Sequence, residues 1–259
     1  MPYFTNKGRM LYYYTTGKGR PIYFIHGHLG SSWKHWRYQL RSEKLFSRYQ
    51  LISYDIRGFG LSSIKLYEAP ETNQIILDTH FFLNKVLKID NSLIIVGYSV
   101  GAVLAITYAL LFPKKVCALV LLSPIPFMFS TIQSYRIPKP RSTKILGNIS
   151  IENELLWNRI KKRNRSFISR ITSQLNKNPN NLLRQIKSIK IPIYLIYGTK
   201  DSIVPQETFS LLEKYLPEHS ILEKYPFDHG ISHEHSKLFN SLLLDFCSKI
   251  NRLQAKNFK

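Results

Sequence analysis

The sequence is poor in cysteine and in acidic side chains, and it opens without an apolar leader. Its 259 residues include two cysteines, Cys117 and Cys247. Two thiols cannot build a disulfide framework or a four-thiolate zinc site, and they read as reduced thiols of a cytoplasmic protein. The opening MPYFTNKGRM lacks the apolar stretch of a secretory signal. Acidic residues number sixteen against thirty-seven Lys and Arg, a formal net charge of +21. Fourteen of the basic residues fall between Pro124 and Lys190, where Glu152 and Glu154 are the only acids. Such a segment suits an acidic partner, whether nucleic acid, an anionic membrane surface, an acidic carrier protein or an anionic substrate, and it also suits a plain solvated face. No nucleic-acid recognition motif or stripe of stacking aromatics accompanies the charge, so no nucleic-acid partner is expected.

With 44% hydrophobic and 20% charged residues, disorder is excluded as the main character of the chain. The length fits one α/β-sized domain with an insertion. Residues Asn91 to Pro113 carry no charge, a run long enough to raise a membrane span. The run is punctuated by Gly97-Tyr98-Ser99-Val100-Gly101, so a buried strand, a tight turn and a helix account for it, and no membrane span is expected. Strand-like runs recur at Met10–Thr15, Ile22–His26, Gln50–Asp55, Ser92–Gly97, Val116–Ser123, Ile193–Gly198 and Ser220–Tyr225. Helical patterns at Trp33–Leu40, Asn73–Leu87, Val100–Leu111, Glu207–Tyr215 and Glu234–Ile250 lie between or after them. This alternation predicts a mostly parallel sheet with helices on both faces. The Asn6-Lys7-Gly8 turn predicts an antiparallel hairpin at the first corner. Residues 125–190, rich in proline and basic side chains, break the rhythm and read as an inserted cap; residues 1–124 and 191–259 form the core.

Gly97-Tyr98-Ser99-Val100-Gly101 matches G-x-S-x-G between a predicted strand and a predicted helix. A nucleophile on so sharp a turn needs small neighbours, and the helix N-terminus behind it favours developing negative charge. A serine hydroxyl needs a base, and the base needs an orienting acid, in the chain order Ser, acid, His on this scaffold. Asp201 lies just past the Ile193–Gly198 strand and His229 just past Ser220–Tyr225, at the same sheet edge as Ser99. Asp228 adjoins His229 in sequence and is poorly placed to orient its ring. His233 and His235 belong to the next helix, and His219 precedes its strand. The loop after Ile22–His26, His26-Gly27-His28-Leu29-Gly30, is placed to supply one N–H of an oxyanion hole at His28, with Val100 supplying the other. Two histidines two residues apart, without companions, fall short of a metal set. Leu29, Tyr98, Phe127, Phe129 and Trp157 are candidate substrate contacts. The chemistry needs no metal or organic cofactor.

The motif His26–Gly30, then Asp55-Ile56-Arg57-Gly58-Phe59-Gly60-Leu61-Ser62, Gly97–Ala102, Gly198–Pro205, and His229 with Glu234 resemble the α/β-hydrolase superfamily. The resemblance implies an eight-stranded sheet, a Ser99–His229–Asp201 triad, a lid after the sixth strand, and structural or site-framing roles for Asp55 and Arg57. A serine nucleophile sets the chain apart from haloalkane dehalogenases and epoxide hydrolases. Carbon–carbon bond hydrolases usually carry Asn before the serine and Trp soon after the histidine, and neither is here. Ala102 replaces a glycine common in relatives, and Asp228 stands where they have Gly. The expected activity is cleavage of a small acyl ester or thioester through an acyl-enzyme. Some members of the superfamily demethylate an acyl chain held by an acidic acyl carrier protein in biotin synthesis. The basic residues Arg136, Lys139, Arg141, Arg159, Lys161, Lys162, Arg163 and Arg165 make such a carrier an alternative partner. A ligand-binding protein that turns over little is the alternative of another class.

Overall fold

The computed structural model describes residues 2–28, 30–62, 72–89, 92–125 and 184–256. Eight strands form one sheet: β1 (Tyr3–Asn6), β2 (Arg9–Thr16), β3 (Arg20–Ile25), β4 (Tyr49–Tyr54), β5 (Leu93–Tyr98), β6 (Val116–Leu122), β7 (Ile193–Gly198) and β8 (Ile221–Tyr225). Their spatial order is β1-β2-β4-β3-β5-β6-β7-β8. The β1–β2 hairpin turns at Lys7-Gly8, and β2 pairs antiparallel with β4. From β4 to β8 every pairing is parallel. The described residues place helices α1 (Ser32–Leu40), α2 (Glu43–Phe46), α3 (Thr72–Phe81), α4 (Val100–Leu111), α5 (Gln206–Tyr215), α6 (Ile231–Glu234) and α7 (Ser236–Lys256) around the sheet.

The middle strands are buried along their whole length, which is why β5, β6 and β7 read as continuous apolar runs. Alternate strand residues feed two cores. Ile95, Leu119 and Leu195 join α4, Ile75 and Phe209 on one face, while Ile94, Val96, Val120 and Ile196 join Trp36, Phe239 and Phe246 on the other. Ile125, Ile186 and Ile189 are also buried in the first core. The uncharged run from residue 91 resolves into β5, the turn at Ser99 and α4. Among the described residues no helix is long and apolar enough to cross a membrane.

Three local features depart from the expected elements. The short strand Tyr3–Asn6 completes the sheet edge by pairing with β2. The helix expected over 73–87 leaves α geometry after Phe81 and continues as a π-turn, Phe82–Val86. There the Asn84 side chain donates to His80 O at 2.7 Å, taking a carbonyl that an α-helix would offer to the Asn84 backbone N–H. The helix expected over 234–250 is two helices that break at His235, where the backbone leaves helical geometry with φ −119° and ψ 40°.

A buried ion pair ties the strand edge to α3. Arg57 Nε and Nη2 reach Asp78 Oδ2 and Oδ1, both at 2.8 Å, and the Asp78 side chain is fully buried. Asn6 Nδ2 adds a third donor at 2.8 Å. Replacing Asp78 with alanine strands a mostly buried guanidinium and should cost about 2–4 kcal/mol, read as a lower urea midpoint at unchanged m-value.

Candidate active site

Ser99 closes β5 and opens α4 with φ 56° and ψ −117°, a left-handed backbone that L-residues rarely adopt. Its neighbours make this possible. A Cβ on Gly97 would collide with Gly101 O and Ala102, and a Cβ on Gly101 would collide with the Ile25 and His26 carbonyls. The Ser99 N–H is anchored to Leu122 O at the end of β6, 2.8 Å away. Ser99 is 3% exposed.

Two further loops leave the same sheet edge. After β7, Asp201 Oδ1 accepts the N–H groups of Ile203 and Val204, at 2.9 and 2.8 Å. Its other oxygen, Oδ2, lies 2.7 Å from His229 Nδ1, and the Asp201 side chain is fully buried. A carboxylate oxygen accepts, so Nδ1 is the side of the His229 ring that donates, and in the neutral ring Nε2 is left with its lone pair. The β8 loop that carries His229 is bonded across to the β7 loop. Thr199 N–H bonds Tyr225 O at 2.7 Å, and Lys200 N–H bonds Phe227 O at 3.1 Å. Asp228 accepts from Ser202 N–H and Oγ, each at 2.8 Å, and from the His229 N–H at 2.7 Å. Partial burial would raise the Asp228 carboxyl, but these donors outweigh it and hold it below the usual carboxylate range. Asp228 thus braces the histidine loop from its backbone side, and Asp201 meets the ring.

The loop after β3 passes beside the elbow, with Ile25 in register with Gly97. A Cβ on Gly27 would lie 3.1 Å from Tyr98 O. His26 directs this loop. Its Nε2 accepts the Ile56 N–H at 2.9 Å, so Nδ1 holds the proton and donates it to Gly27 O at 2.8 Å. Gly27 O belongs to the peptide whose N–H is that of His28. In a trans peptide the two point in opposite directions, so His26 sets the direction of the His28 N–H. The His28 ring packs edge-on to Phe59 at 5.8 Å. Val100 is the first residue of α4 and is buried.

Asp55 holds the frame together. Its carboxylate accepts Ser32 N–H and Leu61 N–H, both at 2.7 Å, and its carbonyl accepts the Ser62 hydroxyl. It thereby joins the start of α1 to the loop after β4. Gln39 of α1 donates to Ser232 O at 3.0 Å, fixing α1 against α6 just beyond His229.

The structure thus brings Ser99, Val100, His28, Asp201 and His229 to one sheet edge. Tyr98 lies buried under them, its ring 5.1 Å from His229 and 4.9 Å from His35. Leu29, Phe127, Phe129 and Trp157, and the cap cations from Arg136 to Arg165, lie outside the described residues. Sequence reasoning passed over His35 and set His233 aside as a helix residue. Both pack into a ring cluster with Tyr98. The available signal was a polar residue at the buried spacing Ser32, His35, Trp36 and Gln39 of α1.

A sheet of eight strands, with a serine at a strand-to-helix elbow and a histidine–carboxylate pair on the neighbouring loops, defines the class: the chain has the α/β-hydrolase fold. A family described as alpha/beta hydrolase fold matches residues 20–141. The chain is 24% identical over 255 residues to an AB hydrolase superfamily protein, YisY, of Bacillus subtilis (strain 168), a match spanning 89% of this chain and 92% of that one. It is 25% identical over 257 residues to a pimeloyl-[acyl-carrier protein] methyl ester esterase of Legionella pneumophila (strain Corby), spanning 89% and 96% of the two chains. Among solved structures, the meta-cleavage product hydrolase of Pseudomonas fluorescens IP01 superposes with a TM-score of 0.70 at 22% identity, over 96% of this chain and 98% of that one. The esterase RhEst1 of a Rhodococcus species superposes with a TM-score of 0.67 at 22% identity, over 96% and 98%.

Burial disfavours the charged form of three histidines around the site, His26, His35 and His233. Desolvation lowers His26, drives His35 well below the usual histidine value, and brings His233 down to about 4. The unfolded chain takes up protons on these rings below about pH 6.5, whereas the folded protein resists until lower pH. The stability they contribute is therefore whole above about pH 6.5 and is lost as the pH falls toward about 4. The melting temperature should drop by several degrees between pH 7.5 and pH 5, and His233→Phe should make that drop shallower.

Proposed function

We propose that the protein is a serine hydrolase that cleaves a carboxylic ester or thioester through an acyl-enzyme. The observation that carries the reading is the buried 2.7 Å contact between His229 Nδ1 and Asp201 Oδ2, which leaves Nε2 as a base at the edge where Ser99 sits. His229 takes the Ser99 proton as Oγ attacks the substrate carbonyl. The His28 and Val100 N–H groups hold the resulting oxyanion, each contributing about 3 kcal/mol in the transition state. His229 then protonates the leaving alcohol or thiol, and water repeats the sequence to release the acid and free serine. Asp201 keeps the proton on Nδ1 and stabilises the imidazolium. Phe127, Phe129 and Trp157 are the candidate acyl contacts from the chain between β6 and β7, with Leu29 beside the oxyanion donor.

For the substrate, an acyl methyl ester borne by an acidic acyl carrier protein is the sharper version. Two features support it: the similarity to the carrier-protein methyl ester esterase over 89% of this chain, and the basic excess between Pro124 and Lys190. Both cysteines are free and buried, in keeping with a reducing, cytoplasmic setting.

Hydrolysis of p-nitrophenyl esters of increasing acyl length tests the reading. Ser99→Ala and Asp201→Asn should each lower kcat by about 10⁴-fold with the fold intact. Equal turnover by the Ser99→Ala protein would overturn it, and a burst without turnover would favour a ligand-capturing protein. Added salt should slow hydrolysis of a carrier-linked ester steeply and of a small ester little. An equal response on both would remove the carrier.

A further inference from the structure

The geometry points to His35 as the positioning residue of the oxyanion loop, acting as a hydrogen-bond acceptor for the Gly27 N–H. The inference rests on the reading of Ser99 as nucleophile and adds a second hold on the donor opposite it.

His26 holds the carbonyl side of the Gly27–His28 peptide. His35 holds the side before it, with the Gly27 N–H donating to His35 Nδ1 at 3.1 Å. The two imidazoles therefore clamp Gly27 from both ends, one as donor and one as acceptor. With both ends fixed, the His28 N–H has one direction, which is what a preorganised oxyanion donor requires. The loop also wraps the ring, since a Cβ on Gly30 would overlap His35 Cε1 and Nδ1.

The ring itself is locked. His35 is 4% exposed and sits in the first turn of α1, whose N-cap Ser31 accepts the Lys34 N–H at 3.1 Å. Tyr98 meets it edge-on at 4.9 Å and His233 stacks on it at 5.6 Å. An acceptor is useful only while Nδ1 is unprotonated. Burial first, and then the nearby His26, His233, Lys34 and His229, all disfavour the imidazolium. The Tyr98 ring spans the cluster, touching both His35 and His229. The side chain that steadies the oxyanion loop and the ring proposed as base thus share one packing partner.

The experiment is the rate of Ser99 phosphonylation by a fluorophosphonate, read by mass spectrometry, because that reaction builds charge on a phosphoryl oxygen and needs no knowledge of the natural substrate. Asparagine places Oδ1 where Nδ1 stands, phenylalanine keeps the ring without an acceptor, and glutamine puts its acceptor further out. His35→Phe should slow labelling by about tenfold or more while His35→Asn stays within about threefold of the native rate. If His35→Phe does not fold, His35→Asn against His35→Gln makes the same comparison, with the glutamine variant the slower. Native rates in all variants, or equal slowing in Asn and Phe or in Asn and Gln, would overturn the positioning role while leaving the nucleophile standing. No labelling of the native protein at Ser99 would instead bring down the hydrolase reading, and the inference with it.

Discussion

The chain can leave β5 and enter α4 within a single residue only because neither Gly97 nor Gly101 carries a side chain. Without those two absences, the backbone of α4 could not approach β5 or the carbonyls at the end of β3. Ser99 then takes the left-handed conformation that close approach demands, at a local cost of about 1–3 kcal/mol. The surrounding sheet holds it there. β5 is paired on both edges, by β3 and β6, and the Ser99 N–H is itself bonded to the end of β6. A strained residue persists where its neighbours over-determine it, and a buried parallel sheet supplies such neighbours.

The rest of the site is a consequence of that edge. Parallel strands deliver their following loops to one side of the sheet, so residues following β3, β5, β7 and β8 meet at one edge. What the loops then need is direction. Asp201 uses one oxygen to fix its own turn and the other to meet His229. Asp228 braces the backbone of the same histidine, and His26 aims a peptide. Each of these side chains directs hydrogen bonds to backbone groups, so polar contacts hold the loops in place.

The fold was legible in the sequence where pattern and structure share a period. The buried runs of β5, β6 and β7 and the glycine-flanked serine could be read directly, and the positions of Asp201 and His229 followed from strand ends. Features set by pairing across the chain could not. Tyr3–Asn6 is a strand because β2 offers an edge. Arg57 finds Asp78 across 21 residues, and even the local π-turn at Phe82 turns on one side-chain bond, Asn84 to His80 O, that no residue pattern displays. His35 shows in the sequence only as a polar residue on the buried face of α1, and its role cannot be read from that spacing. Its partner is a backbone N–H, which leaves no mark in a residue pattern.

A nucleophilic Ser99 must pass through a covalent intermediate, and that intermediate can be caught. Brief mixing with p-nitrophenyl acetate, acid quench and peptide mapping should give one acetyl group, on the peptide carrying Ser99, which disappears as the enzyme turns over. Product release with the acetyl group on a lysine or histidine elsewhere, or with no acetylated protein in the burst phase, would contradict the reading at its root.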